Sequence, residues 1–421
     1  MGLLLVSVLI SGAYPAFLLS APQISNVLKG IFAKDIGGAN LRKGLVVFQF
    51  TISIGLIVGT WLVSRQIAYV NQQDLGINVE QMMTISPPTL TRFDSIFFGK
   101  LDAFKAELAQ VPGVEKVTTS SRVPGQNIGR IFQIEKAAEP GQYVTSNFIN
   151  ADHDYAATYG LAPVAGRFLK PSDHDMVFAN IDKLVISEAS VDLLGYADAA
   201  AAINERVNFW GKSWQIVGVV PNYHQQSLHH RMESLFMIST YGTMHPFSLR
   251  VNTQNIEQTI AQVQAVYQDF FPGNYFDYQF LNDRYQTLYE ADLRFGNILS
   301  FFTLLTIFIA CLDLFGLTSY TTFLRTKEIG VRKVLGASVV DLVALLSKNF
   351  MLLVIIALFF ALPIAYYFMH QWLDNFAYRI EMSWWIFALA GVAAILIAFL
   401  TVSVQSVKAA LGNPVTSLKN E

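Results

Sequence analysis

The stretch Leu324–Ser338, LRTKEIGVRKVLGAS, sets Arg325, Lys327, Arg332 and Lys333 around one acid, Glu328, with Gly330 and Gly336 among them. Residues of these types at this spacing suit ionic docking to another surface; they offer no nucleophile and no set of metal ligands. At helical spacing Ile329, Val331, Val334 and Leu335 form an apolar stripe beside the charge, so the segment reads as a short amphipathic helix lying along a membrane surface. A plain anchor has no use for glycine, which costs about 1 kcal/mol against alanine inside a helix. Gly330 and Gly336 therefore suggest close approach by a second surface.

Other chemistries find less support. His224, His229 and His230 in NYHQQSLHHR are spaced so that no two fall on one helical face, and the stretch holds no carboxylate, so it reads as a surface loop and not a metal site. There is no GxSxG and no HExxH, and no pair of carboxylates stands out as general acid and base. The single cysteine, Cys311, lies in an apolar run and offers no thiol nucleophile outside it. No catalytic residue, metal or cofactor is assigned. Neither Gly99-Lys100 nor Gly211-Lys212 follows a glycine at the spacing of a phosphate-cradling GxxxxGK[ST] loop, so any ATP must be handled by another chain. Asp313, in CLDLFGLTSY, is an ionisable group inside an apolar run, where it is costly and commonly functional. Two roles are open to it: proton or cation coupling, or pairing with a basic residue of the next segment.

The elements that must position these residues are spans. With 53% hydrophobic and 14% charged residues, and a mean hydropathy of +0.39, the chain is too apolar for an ordinary soluble protein. Five runs are long and apolar enough to cross a bilayer: Leu3–Ser20, Leu45–Val63, Asn297–Tyr320, Phe350–Met369 and Trp384–Val404. Segments 21–44 and 321–348 and the tail carry 11 basic residues against four acids, whereas 65–294 carries 17 against 24. Cytoplasmic loops are enriched in Lys and Arg, which places the three short segments and the C-terminus inside and 65–294 outside. That topology puts Met1 outside without flanking charge, so Leu3–Ser20 is expected to be the last span of a preceding half of a longer membrane protein.

Region 65–294 reads as α+β. Strands are expected at Met82–Pro87, Val114–Ser120, Lys183–Ser187, Trp214–Val220 and Tyr275–Leu281, and helices at Asp94–Gln110 and Asn255–Phe271. Strand and helix alternate without a clean period, as two small subdomains would. QISNVLKG (Gln23–Gly30) and NPVTSLKN (Asn413–Asn420) follow the first and last spans alike, which suggests duplication. The fold class is thus an α-helical membrane protein with five predicted transmembrane helices and a large α+β periplasmic domain. Its expected layout is a first helix and linker (1–44), a helix (45–64), the outer domain (65–294), and a region with three helices and the short cationic helix 324–338 (295–421).

TKEIGVRKVLGAS resembles the segment after the first span beyond the ectodomain in the MacB/FtsX-type ABC transporter permeases. GAYPAFLLS, LRKGLVVFQFTISIGLIVGT, YGLAPVAGRFL, KLVISEASVDLLGY, WQIVGVVPNYHQQSLHHR, WLDNFAYRI and ALGNPVTSLKNE are similar to that family too, in particular to the second half of its tandem-type bacterial members. The resemblance implies a bacterial inner-membrane permease whose partners are a cytoplasmic ABC ATPase, a second permease half or copy, a periplasmic adaptor and the bilayer, not nucleic acid. It makes Arg325, Lys327, Glu328, Gly330, Arg332, Lys333 and Gly336 the ATPase-coupling residues. Such permeases export a substrate or move their periplasmic domain; a non-transporting regulator of envelope enzymes and a membrane-anchored ligand sensor are the alternatives. Asp313 stands where the family usually has a small residue.

Overall fold

A computed structural model describes residues 36–411, apart from 92–94, 176, 241–244 and 253. The expected span Leu3–Ser20 and the similar segments 23–30 and 413–420 lie outside the described residues. The described residues open with α1 (Ile36–Gln72). An α+β stretch follows: β1 (Met82–Ile85), α2 (Ser95–Leu108), β2 (Val114–Thr119), β3 (Ile131–Lys136), β4 (Val144–Asn150), α3 (Tyr155–Tyr159), β5 (Ala165–Gly166), β6 (Lys183–Ser187), α4 (Glu188–Leu194), β7 (Arg206–Phe209) and β8 (Lys212–Val220). It continues through β9 (Leu235–Ile238), β10 (Phe247–Val251), α5 (Ile256–Phe270), β11 (Tyr278–Phe280) and α6 (Leu281–Leu288). Four helices close the chain: α7 (Glu290–Leu324), α8 (Thr326–Val334), α9 (Val339–Leu373) and α10 (Trp384–Leu411). Residues 62–298 and 369–382 form one compact unit, and the remaining described residues form another.

In the helical unit, four of the described helices are long and apolar enough to cross a membrane: Arg42–Gln72, Glu290–Leu324, Val339–Leu373 and Trp384–Lys408. Each runs past the apolar window that marks it in the sequence, because flanking polar residues continue the helix. On α9 and α10 small residues recur at buried positions every fourth residue, at Ala357, Ala361 and Ala365 on one helix and Ala390, Ala394 and Ala398 on the other, and four of them, Ala357, Ala361, Ala394 and Ala398, share one core. Small residues at that spacing let helix backbones approach closely where lipid offers no hydrophobic drive. Val46, Phe50, Ile54 and Leu314 complete this core. The hydroxyls of Thr60 and Thr303 share a hydrogen bond at 2.8 Å, and Trp61 meets Trp385 edge to face at 5.5 Å.

The α+β unit holds two sheets. The first, in order β11-β1-β10-β2, is antiparallel throughout. One core formed from this sheet and from α2 and α5 gathers Phe97, Phe104, Leu108, Phe247, Val263 and Tyr267. Helix α5 buries Thr259, Val263 and Tyr267, one residue per turn, as an amphipathic helix must. The second sheet runs β5-β8-β6-β9-β4-β3-β7, and an added β7–β8 pairing closes six of its strands into a ring. Trp214 fills that ring, fully buried, with its indole N–H donated to the Phe209 carbonyl at 3.0 Å. Gly218 of β8 lies so close to the Arg167 carbonyl that a Cβ there would meet its oxygen at 1.9 Å.

The expected strands at 82–87, 114–120, 183–187 and 214–220 and both expected helices are present, with ends shifted by a few residues. The strand expected over 275–281 shrinks to β11, because Leu281 turns inward, fully buried, as the first residue of α6.

Candidate coupling site

Helix α8 is nine residues long, and its charges suit its dipole: Glu328 lies in the first turn, Arg332 and Lys333 in the last. Arg332 donates to Glu328 one turn back at 3.0 Å, an exposed pair worth a few tenths of a kcal/mol. Arg325 occupies the N-cap position and Lys327 the first turn. Of the expected apolar stripe only Ile329 is buried, against Leu342 and Leu346 of α9. Val331, Val334 and Leu335 are exposed, the last two at 68% and 80%.

What stops it is Gly336. Its φ of +93° is the left-handed conformation that glycine adopts without strain. The Ala337 N–H then reaches back to the Arg332 carbonyl at 3.0 Å, and the Gly336 N–H to Lys333 at 3.1 Å, which closes the helix end. Within the chain no atom lies within 4 Å of where its Cβ would be, and here the residue serves the cap. Gly330, by contrast, is buried. Helix α9 starts at once, with the Ser338 hydroxyl and the Asp341 carboxylate bonded reciprocally across its first turn.

Asp313 lies on α7 with its side chain exposed, and no ion pair or hydrogen bond to it exists among the described residues. The span bearing it is the least buried of the four.

A second constellation, which sequence reasoning missed, belongs to the α+β unit. The histidine stretch is no surface loop: His224, Gln225, Ser227 and Leu228 are buried. Burial lowers the His224 pKa below its ordinary value, opposed by Asp74. His229 faces the Asp292 carboxylate with Nε2 at 3.0 Å and the Asn375 carbonyl with Nδ1 at 3.0 Å. Both partners are acceptors, so a ring nitrogen that carries a proton donates to the oxygen it faces. The ring stacks on Phe376 at 4.0 Å. Backbone bonds from Ala377 to His229 and from Tyr378 to Leu228 extend the clip, and the Tyr289 hydroxyl accepts the Leu228 N–H at 2.8 Å. Gln66, fully buried on α1, donates to the Tyr378 carbonyl and accepts the Ile380 N–H, each at 2.9 Å.

This clip ties the 224–232 loop to the first turn of α7, to the segment after α9 and to the end of α1. Two stretches singled out for their family likeness, WQIVGVVPNYHQQSLHHR and WLDNFAYRI, meet in it. No group of His, Cys, Asp and Glu able to hold a metal exists among the described residues.

Residues 45–286 match the MacB-like periplasmic core domain, and residues 300–414 match the FtsX-like permease C-terminal domain. Among solved structures, the periplasmic region of MacB from Actinobacillus actinomycetemcomitans is similar at 13% identity over 52% of this chain and 97% of that one, with a TM-score of 0.37. The extracellular domain of the noncanonic ABC-type transporter YknZ from Gram-positive bacteria is similar at 13% identity over 47% of this chain and 97% of that one, with a TM-score of 0.33. No curated protein matches the chain.

Proposed function

Since the chain belongs to the family of permeases that join a MacB-like periplasmic core domain to an FtsX-like C-terminal region, we propose that it couples ATP hydrolysis by a separate ATPase to export, or to motion of its own periplasmic domain. Members of this family are permease subunits of ABC transporters and are not themselves enzymes. The observation that carries the proposal is helix α8: a short, cationic helix between two spans that leaves Val334 and Leu335 uncovered beside Arg332 and Lys333. Exposed aliphatic side chains ringed by cations form a docking surface for a protein with an apolar groove and an acidic rim. The absence of a phosphate loop from the chain makes an ATPase the partner that would give such docking a purpose.

In this account α8 and the C-terminus are cytoplasmic, 65–294 is periplasmic, and 295–421 is the permease domain. Helices α1, α7 and α9 each contribute residues to both units, so displacement at α8 is carried along covalent helices toward the His229 clip. Asp313 supports a second permease half or copy: a carboxylate in a span is costly toward lipid and gains from a covering protein surface.

The test uses the full chain reconstituted with its ATPase. Reversing Arg332→Glu and Lys333→Glu together lowers the permease-dependent ATPase rate by about tenfold or more, while membrane insertion stays normal. An unchanged rate with the doubly reversed chain excludes α8 as the coupling element.

A further inference from the structure

The His229 clip asks more of one imidazole than a neutral ring can give. Nε2 lies 3.0 Å from an Asp292 carboxylate oxygen and Nδ1 lies 3.0 Å from the Asn375 carbonyl. A neutral imidazole carries one N–H, so in that state one nitrogen turns its lone pair toward an oxygen that can only accept. Both bonds form together when the His229–Asp292 pair holds one proton more. Stacking keeps the ring where it is, with Phe376 at 4.0 Å and Tyr289 at 6.0 Å between centroids. Only 24% of the His229 side chain and 15% of the Asp292 side chain are exposed, so water is a poor substitute for a lost partner.

The other charges beside the clip are matched or open to water. On α7, Glu290 holds Arg294 at 3.0 Å. On the 369–382 segment, Asp374 accepts from Arg379 and faces His370 at 3.1 Å. Arg65 of α1, His230 and Arg231 of the loop, and Glu381 are exposed. His224 meets the Tyr378 ring at 4.8 Å, where burial lowers its pKa against the pull of Asp74. The Tyr289 hydroxyl is pushed up to about 12, chiefly by burial, and keeps its proton. Asp292 has no ion pair besides His229 among the described residues. Imidazole is the side chain that takes up a proton near neutrality, and His229 is placed between two acceptors.

We propose that the clip is a proton-operated latch: holding one proton beyond the neutral imidazole, His229 and Asp292 fasten the 369–382 segment to the first turn of α7, and the latch loosens as that proton leaves. The closed clip binds the extra proton, so closure is favoured as pH falls and is lost as pH rises. The latch belongs to the chain alone and does not depend on docking at α8.

Hydrogen exchange of the full chain in detergent, compared at about pH 5 and pH 8 and corrected for the intrinsic pH dependence of exchange, tests it. The Ala377 and Tyr378 amides report closure, since they donate to the His229 and Leu228 carbonyls. Their protection falls by about tenfold or more from the lower pH to the higher, the effect of losing one charge-assisted bond. In His229→Gln their protection is the same at both. Asp292→Asn separates the latch from plain ion pairing. Its amide donates to an unprotonated Nε2 while Nδ1–H donates to the Asn375 carbonyl, so a neutral ring satisfies both contacts. Protection at the higher pH then exceeds that of the natural chain by about tenfold, whereas plain ion pairing makes the same variant lose protection at both. Protection independent of pH in the natural chain, a pH dependence kept in His229→Gln, or protection in Asp292→Asn no higher than in the natural chain at the higher pH would each overturn the proposal.

Discussion

Single side chains show what the fold tolerates and why. Gln66 is a polar residue at full burial, kept because its amide satisfies a donor and an acceptor of the 378–380 backbone at once. His245 is kept neutral instead. Burial first, then Arg130 and Arg122, hold its imidazole from the ordinary 6.5 down to about 4. Unfolding frees the ring to take a proton below about pH 6.5, so between pH 6.5 and 4 the unfolded chain binds more protons than the folded one. Stability is therefore fully present above that window and falls as pH falls through it. His174 and His224, also lowered chiefly by burial, act with the same sign. In His245→Leu the drop in thermal midpoint of the full chain between pH 7 and pH 5 should shrink without vanishing; an undiminished drop would contradict this assignment.

Elements were legible where one sequence window contains their cause. The apolar runs of α1, α7, α9 and α10, the buried repeat of α5 and the compact KLVIS and WQIVGVV strands all announce themselves. Strands β3, β4, β7, β9 and β10 did not. Strand β4, VTSNFIN, is buried on both faces with Ser146, Asn147 and Asn150 among its buried residues, so it shows no apolar alternation, and it pairs in parallel with β9, nearly ninety positions later. Gly336 was noticed for its identity but not for its cap, since a left-handed cap is a matter of backbone torsion that no residue count records. The cap makes a prediction at this scale. Gly336→Ala costs about 1–2 kcal/mol in that conformation, so hydrogen exchange across 326–337 of the full chain should speed up by roughly tenfold. Exchange unchanged in the variant would show that α8 does not depend on its cap.

For the whole molecule, composition and charge were enough to divide spans from a large α+β domain, because apolar length and basic flanks are additive along the chain. The His229 clip was not, since it joins residues 61 to 314 positions apart whose partnership no local pattern records. Both features serve one account: a permease that receives motion at α8 and delivers it to its α+β domain. Its central claim is contact between α8 and an ATPase. A photo-crosslinking amino acid placed at the exposed Leu335 of the full chain, in its native membrane, tests this most directly. The account predicts a light-dependent adduct with a protein carrying a GxxxxGK[ST] nucleotide-binding loop, lost when Arg332 and Lys333 are reversed. Adducts with lipid alone, or with proteins none of which binds nucleotide, would contradict it.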